Sequence, residues 1–162
     1  MPRPPKYPLK PLLEHRDRKV EDATVELGDA VRAREEASAV RERAESAREE
    51  AERKFAAERQ AEEDRLAEGG LRVEDLARAE AWEHGVRTQM AQLDRTVDHA
   101  TRGVASAASA EDAARDELAR KKADRDVVAK DEARFTERTR RVADSAEEEE
   151  AAEAWRDRRG NR

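Results

Sequence analysis

Few side chains in this sequence could perform catalysis or bind a metal. His15, His84 and His99 lie too far apart for any two of them to be metal ligands on one helical turn. The chain has no cysteine, which excludes disulfides, thiolate metal ligands and a cysteine nucleophile. It also has no glycine-rich phosphate loop and no recognisable pair of nucleophile and base. We therefore predict a protein that is not an enzyme and that binds no metal and no cofactor.

The remaining chemical feature of the sequence is its charged side chains, and these are unevenly distributed along the chain. Residues 1–19 contain 6 bases and 2 acids, and residues 120–141 contain 9 bases and 5 acids, whereas residues 20–119 contain 15 bases and 26 acids. The net charge of −6 and the pI near 5.3 argue against a nucleic-acid-binding protein. A charge distribution of this kind orients a long molecule towards an oppositely charged partner.

The composition predicts long helices as the elements that position these charges. Ala, Glu, Arg, Lys and Leu make up about 62% of the chain, which is typical of coiled coils. Leu, Val and Phe total only 22 residues and Ile is absent, which is too little for a globular core. No stretch approaches 18 apolar residues, and the first residues lack the apolar run of a signal peptide. We expect a cytoplasmic protein that does not insert into a membrane.

Proline and glycine predict where the helices begin and end. All five prolines fall within residues 1–11, and the only paired glycines are Gly69 and Gly70. We therefore predict an all-α fold, a long antiparallel two-helix coiled-coil hairpin with unequal arms, in which Gly70 or Asp75 starts the second helix. The predicted ranges are a Pro-rich flexible tail at 1–8, helix one at 9–68, the hairpin turn at 69–72, helix two at 73–158 and a frayed C-terminus at 159–162.

A heptad seam supports this prediction. Eighteen positions in the second half follow an unbroken spacing of four and three, and thirteen of them are apolar, which is the pattern of a left-handed coiled coil. The first half has a weaker seam with arginines in its gaps. The second seam comprises Val86, Met90, Leu93, Val97, Ala100, Val104, Ala107, Glu111, Ala114, Leu118, Lys121, Arg125, Val128, Glu132, Phe135, Thr139, Val142 and Ala146; the first comprises Leu13, Val20, Ala23, Leu27, Ala30, Ala37, Ala44, Ala51 and Phe55, with Arg34, Arg41 and Arg48 between them.

The seams also predict a register. If the chain folds back at residues 70 and 71, facing residues have numbers that add up to about 141, and the two seams then meet. A register shifted by seven would also align them, and the layer of Arg16 and Arg125 contains two like charges without an explanation. Helix two overhangs beyond about residue 133, so that Phe135, Val142, Ala146 and Trp155 need the proline tail, a second copy or another protein to cover them.

The opening segment from Tyr7 to Ala23, YPLKPLLEHRDRKVEDA, leads into a long charged helix. It resembles the start of the YscO/FliJ-like proteins of type III secretion and flagellar export, and the chain length, central turn and longer second helix are similar too. The resemblance implies a central stalk whose termini end inserts into a hexameric secretion ATPase, at the cytoplasmic face of the inner membrane. It also implies that the opposite region contacts the cytoplasmic domain of the export gate, that secretion chaperones are further partners, and that the isolated protein is a monomer.

The resemblance also implies contact residues. Those facing the ATPase would be Leu9, Leu13, Arg16, Arg18, Lys19, Arg134, Phe135, Arg138, Arg140 and Arg141, and those near the export gate would be Phe55 and Trp82. The seam favours packing as the role of Phe55. Trp82 lies off the predicted seam, which leaves flanking packing and partner contact open. The alternative function is a dimeric coiled-coil scaffold or holdase-like chaperone without an ATPase partner. A stator-type partner of the ATPase is a third, poorer interpretation, because small-xxx-small repeats are absent.

Overall fold

The computed structural model describes residues 5–69 and 72–160, and these residues form two helices without any β-strand. Helix α1 comprises Lys10–Ala67 and helix α2 comprises Val73–Gly160. The two helices pack against each other as an all-α hairpin, as predicted. Helix α2 begins at the predicted residue, and the other three helix ends differ from the predicted ranges by one or two residues. Residues 1–4 of the predicted tail, residues 70–71 of the predicted turn and residues 161–162 lie outside the described part.

The first turn of α1 contains a proline that costs the helix nothing. Pro11 is the second helical residue, where a backbone N–H has no intrahelical acceptor. The chain enters the helix through a backbone hydrogen bond from Lys10 N to Tyr7 O at 3.3 Å, followed by one from Leu13 N to Leu9 O at 3.1 Å. The start of α1 therefore determines the path of the backbone at Tyr7 and just before it.

The turn between the helices depends on Gly69 and on a cap at Arg72. Gly69 has a φ of 96°, a left-handed conformation that glycine adopts without strain and that ends α1. At the start of α2, Arg72 N donates to Asp75 Oδ2 at 3.2 Å, and Asp75 N donates to Arg72 O at 3.0 Å. Helix α2 begins at Val73, so the prediction that Gly70 or Asp75 starts it was wrong about Asp75. Asp75 lies within the first turn, where its carboxylate accepts the hydrogen bond from the backbone N–H of the cap residue, Arg72.

Burial follows the predicted seams. Every predicted seam residue of α2 from Val86 to Thr139 is buried or half-buried, and so is every apolar seam residue of α1. The seam is lost beyond Thr139, since Val142 is 70% exposed. Half of the buried residues among those described are alanines: the set is Leu13, Ala23, Ala44, Ala100, Glu111 and Leu118.

The chain divides into two compact units, and both helices contribute to each of them. One unit consists of residues 28–113, and the other combines residues 1–27 with residues 114–162. The first contains the turn, and the second contains the tail and the end of α2. We call them the turn unit and the termini unit.

Candidate protein-binding surfaces

Tyr7 is the centre of an aromatic contact in the termini unit. Its ring packs on Phe135 with the ring centroids 5.4 Å apart and the planes inclined at 55°. The Tyr7 hydroxyl donates to Asp131 Oδ2 at 2.8 Å and lies 3.4 Å from the Val128 carbonyl oxygen. Tyr7 and Phe135 are half-buried as a result. The proline tail thus covers Phe135. The sequence had left three possible coverings open, namely the tail, a second copy and another protein, and for Phe135 it is the tail.

The surroundings of Tyr7 favour its protonated form. Partial burial raises the pKa of the Tyr7 phenol to about 12 from an ordinary value of 10.0, and the hydrogen bond to Asp131 and the negative charges of Asp131 and Glu132 add to this shift. Lys10 Nζ binds Glu132 Oε1 at 3.3 Å beside this group. Tyr7 was not among the site residues predicted from the sequence, because it precedes α1 and no helical period includes it.

Two arginines of the termini unit each bind an aspartate on the other helix. Each of these aspartates is the chain neighbour of the other arginine. Arg16 Nη1 lies 3.0 Å from Asp124 Oδ2, and Arg125 Nε lies 3.6 Å from Asp17 Oδ1. Arg125 Nη1 also lies 3.2 Å from Asp126 Oδ1. Each guanidinium therefore has an acidic partner, which explains how a layer with two like charges is accommodated. Arg16 is half-buried in this arrangement and is not free to bind an external partner without breaking the pair.

The other residues that the resemblance assigns to the ATPase differ in accessibility. Leu13 is buried in the seam, and Leu9 is 44% exposed. Arg18, Arg134 and Arg138 are exposed, and none has an ion-pair partner within residues 5–69 and 72–160. The remaining basic residues are exposed but paired within their own helix: Lys19 with Asp22 at 3.9 Å, Arg140 with Asp144 at 3.8 Å and Arg141 with Glu137 at 2.9 Å.

A basic face follows from the spacing of these arginines. Arg134, Arg138 and Arg141 are four and three residues apart, so they lie on one side of α2. We call this the basic face. It overlaps the part of α2 that Tyr7 contacts, since Arg134 adjoins Phe135, and the exposed side chain of Val142 comes directly after Arg141. Further along, Trp155 is 59% exposed and is contacted by Arg159, whose guanidinium carbon lies 4.6 Å from the ring centroid.

The aromatic residues of the turn unit pack on each other. Phe55 and Trp82 are half-buried, with ring centroids 6.4 Å apart and planes at 79°, an edge-to-face pair. Trp82 Nε1 donates to Glu58 Oε2 at 3.3 Å. The prediction that Trp82 lies off the seam was therefore wrong. Ala79 and Trp82 are half-buried whereas Glu83 is exposed. The seam residue before Val86 is therefore Trp82, four residues away, and not Glu83, three residues away, so the spacing contains one extra residue here.

A cleft lies next to this aromatic pair. It has a volume of about 1040 Å³ and is lined by residues of both helices, among them Trp82, Leu66, Glu62 and Arg78. The exposed apolar side chains in this region are different ones, since Val73 is 84% exposed and Leu76 is 56% exposed. Sequence analysis did not single out these two residues.

Two kinds of site have no counterpart in the described residues. Across residues 5–69 and 72–160, no three His, Asp or Glu side chains come together so that they could bind a metal ion. In the same part of the chain, no helix combines the length and apolar character that crossing a bilayer requires.

Comparison with known proteins relates the chain to a protein family. A family model described as YscO-like protein matches residues 4–155. No curated protein matches the chain, and neither does any solved structure. The match includes the tail with Tyr7, the turn and α2 as far as Trp155.

Proposed function

Because the chain belongs to the YscO-like family and is thereby related to type III secretion, we propose that it is the central stalk of a secretion ATPase complex. In this proposal the termini unit inserts into the hexameric ATPase, the region of the turn contacts the cytoplasmic domain of the export gate, and the protein acts as a cytoplasmic monomer. Secretion chaperones are further partners. The stalk transmits the ATPase's conformational changes and performs no chemistry of its own.

The observation that carries the proposal is the basic face. Arg134 and Arg138 are exposed without an ion-pair partner in the described residues, and Arg141 has only an exposed partner one turn away. An exposed pair of this kind contributes roughly 0–1 kcal/mol, so Arg141 can exchange its partner at little cost. Charges of one sign on one helix face speed the approach of an acidic surface and orient it. An ATPase channel lined with acidic side chains is the complementary partner.

Mixing the protein with the secretion ATPase tests this proposal. We expect the stalk to promote ATPase hexamers and to raise the rate of ATP hydrolysis at stoichiometric amounts. The combined substitutions Arg134→Glu, Arg138→Glu and Arg141→Glu, which reverse the whole basic face, should reduce this stimulation at least about tenfold, since several charge contacts are reversed at once. Circular dichroism should show unchanged helicity.

A control variant separates the basic face from net charge. Arg87→Glu, Arg95→Glu and Arg102→Glu reverse three exposed arginines of the same helix, in the turn unit. This variant has the same net charge as the first and should still stimulate the ATPase. Equal loss of stimulation in both variants would mean that overall charge, rather than the basic face, controls binding. No stimulation by the unmodified protein would contradict the proposal itself.

The proposed contact with the export gate has its own test. Phe55 and Trp82 are half-buried next to the cleft, and Val73 and Leu76 are exposed apolar residues nearby. Val73→Ser with Leu76→Ser removes apolar surface without disturbing the aromatic pair. We expect weaker binding to the gate's cytoplasmic domain in calorimetry and unchanged ATPase stimulation. Unchanged gate binding would restrict the contact to Phe55 and Trp82 or move it elsewhere.

A further inference from the structure

The segment from Pro5 to Leu9 is attached to α2 by few contacts. It precedes the first helical residue, and the prolines at positions 5 and 8 have no backbone N–H to donate. Leu9 is 44% exposed and so adds little packing. The ring and hydroxyl of Tyr7 make the contacts that fix this segment on α2: the tilted ring contact with Phe135 and the hydrogen bond to Asp131. Removal of this one side chain would release the segment.

What Tyr7 covers is a continuation of the seam. Phe135 is half-buried under Tyr7, whereas Val142, seven residues further along the same stripe, is 70% exposed. Without Tyr7, the ring of Phe135 would be exposed as Val142 is. Both residues lie on the stripe of α2 that faces α1 elsewhere in the hairpin. Asp131 lies one turn before Phe135 and would lose its hydrogen bond to Tyr7 at the same time.

We propose that Pro5–Leu9 is a detachable strap that keeps Phe135 and Asp131 covered in the free protein, and that the ATPase takes its place on α2. This inference rests on the proposed function, since it concerns how the termini unit becomes ready to bind. The partner surface has a defined chemistry: an apolar socket for the Phe135 ring beside a hydrogen-bond donor for the Asp131 carboxylate. Both groups are used within the chain before binding and become available when Tyr7 leaves.

The strap reduces the apparent affinity of the free protein. A protein whose binding-competent form is only partly populated binds with an affinity lowered by that fraction. Removing an aromatic pair of this kind should shift the population towards the open form by about three- to tenfold. A strap of this type prevents Phe135 from forming unspecific contacts before the stalk reaches the ATPase.

Tyr7 variants test the strap directly. Tyr7→Ala should bind the ATPase about three- to tenfold more tightly than the unmodified protein, and Tyr7→Phe, which retains the ring and loses the hydroxyl, should lie between them. Tyr7 precedes the helix, so both variants should retain their helicity. Weaker or equal binding by Tyr7→Ala overturns the strap, because Tyr7 would then be part of the contact surface or irrelevant to it.

A second measurement follows the strap itself. Tyr7 is the single tyrosine of the chain, so incorporated 3-fluorotyrosine gives one ¹⁹F resonance. On addition of the ATPase, the resonance should move towards that of an unfolded tyrosine; a resonance that stays at its original position overturns the strap. If neither the unmodified protein nor Tyr7→Ala binds the ATPase, the proposed function falls and the role of the strap falls with it. Binding that is insensitive to Tyr7 overturns the strap alone.

Discussion

Arg16 binds Asp124 across the helix pair at 3.0 Å, and the adjacent residues, Asp17 and Arg125, form the same bridge with the charges exchanged at 3.6 Å. Two like charges in one layer would repel each other if both side chains pointed into the interface. Here each arginine turns outward to an acid on the other helix, and its aliphatic part remains half-buried. The layer therefore favours the observed register, because a shift by seven residues would separate both arginines from their acids.

Reversal of Arg16 tests this layer. Arg16→Glu should lower the free energy of unfolding by about 1 kcal/mol, because it loses one bridge and introduces repulsion with Asp124. Adding Asp124→Arg should restore most of the loss. Urea unfolding of the two single variants and the double variant gives the coupling energy. Two effects that simply add would show that the bridge contributes nothing to the register.

Glu111 should be replaceable by an apolar residue. It is a buried acid, 4% exposed, in a seam position, and it binds Arg34, whose side chain is 53% exposed, at 3.1 Å. Glu111→Leu should raise the free energy of unfolding by about 1 kcal/mol, because the desolvation of a carboxylate is avoided and Arg34 can turn to solvent. Thermal unfolding measures this change. A marked loss of stability would show that the pair contributes more than the burial of the charge costs.

The position of residues in the seam should determine the cost of truncation. Leu118 is 9% exposed and Val142 is 70% exposed. Leu118→Ala should cost about 2–3 kcal/mol, since it leaves a cavity in a narrow interface. Val142→Ala serves as the matched control and should change stability by less than about 0.5 kcal/mol. Similar costs for the two would mean that Val142 is covered in solution, for example by a second copy.

The phenol of Tyr7 should lose its proton at a higher pH than an ordinary tyrosine does. Its absorbance at 295 nm should change with a midpoint at pH about 12 instead of 10.0. Since the pKa is raised in the folded state, this group contributes stability below pH 10 and loses it as the pH rises through 10 towards 12. Asp131→Ala should move the midpoint back towards 10.0. A normal midpoint in the unmodified protein would contradict the contact between Tyr7 and Asp131.

Spin labels distinguish the hairpin from a dimer of straight helices. Leu27→Cys and Ala114→Cys give two unique labelling sites in a chain without cysteine. We expect strong coupling over about 10 Å, the usual separation of packed helices. The coupling should persist when labelled protein is diluted with unlabelled protein. Coupling that disappears on dilution would support the alternative of a dimeric scaffold.

The seam and the turn could be predicted because both depend on local, periodic information. Apolar residues repeat with the period of a coiled coil, and only one position has paired glycines. The packing of Trp82 could not be predicted in this way, because the seam gains a residue near the turn and the unbroken spacing points to Glu83 instead.

The candidate surfaces were less predictable than the seam. Tyr7 precedes the helix, so no helical period includes it, and its contact with Phe135 depends on the path of the chain through Pro8. The accessibility of the arginines also required the structure, since the sequence does not show which carboxylate each guanidinium binds. Arg16 and Arg138 have the same charge, yet the first is half-buried with Asp124 and the second is exposed.

Alanine is the commonest residue of the two seams, and no large side chain among the described residues is completely buried. Each heptad therefore adds only a small increment to cohesion, and stability accumulates with the number of consecutive heptads. Amide hydrogen exchange should accordingly be graded, fastest at the ends of each helix and slowest several turns away from them. A shortened fragment should lose stability in steps, heptad by heptad, rather than at a single critical residue.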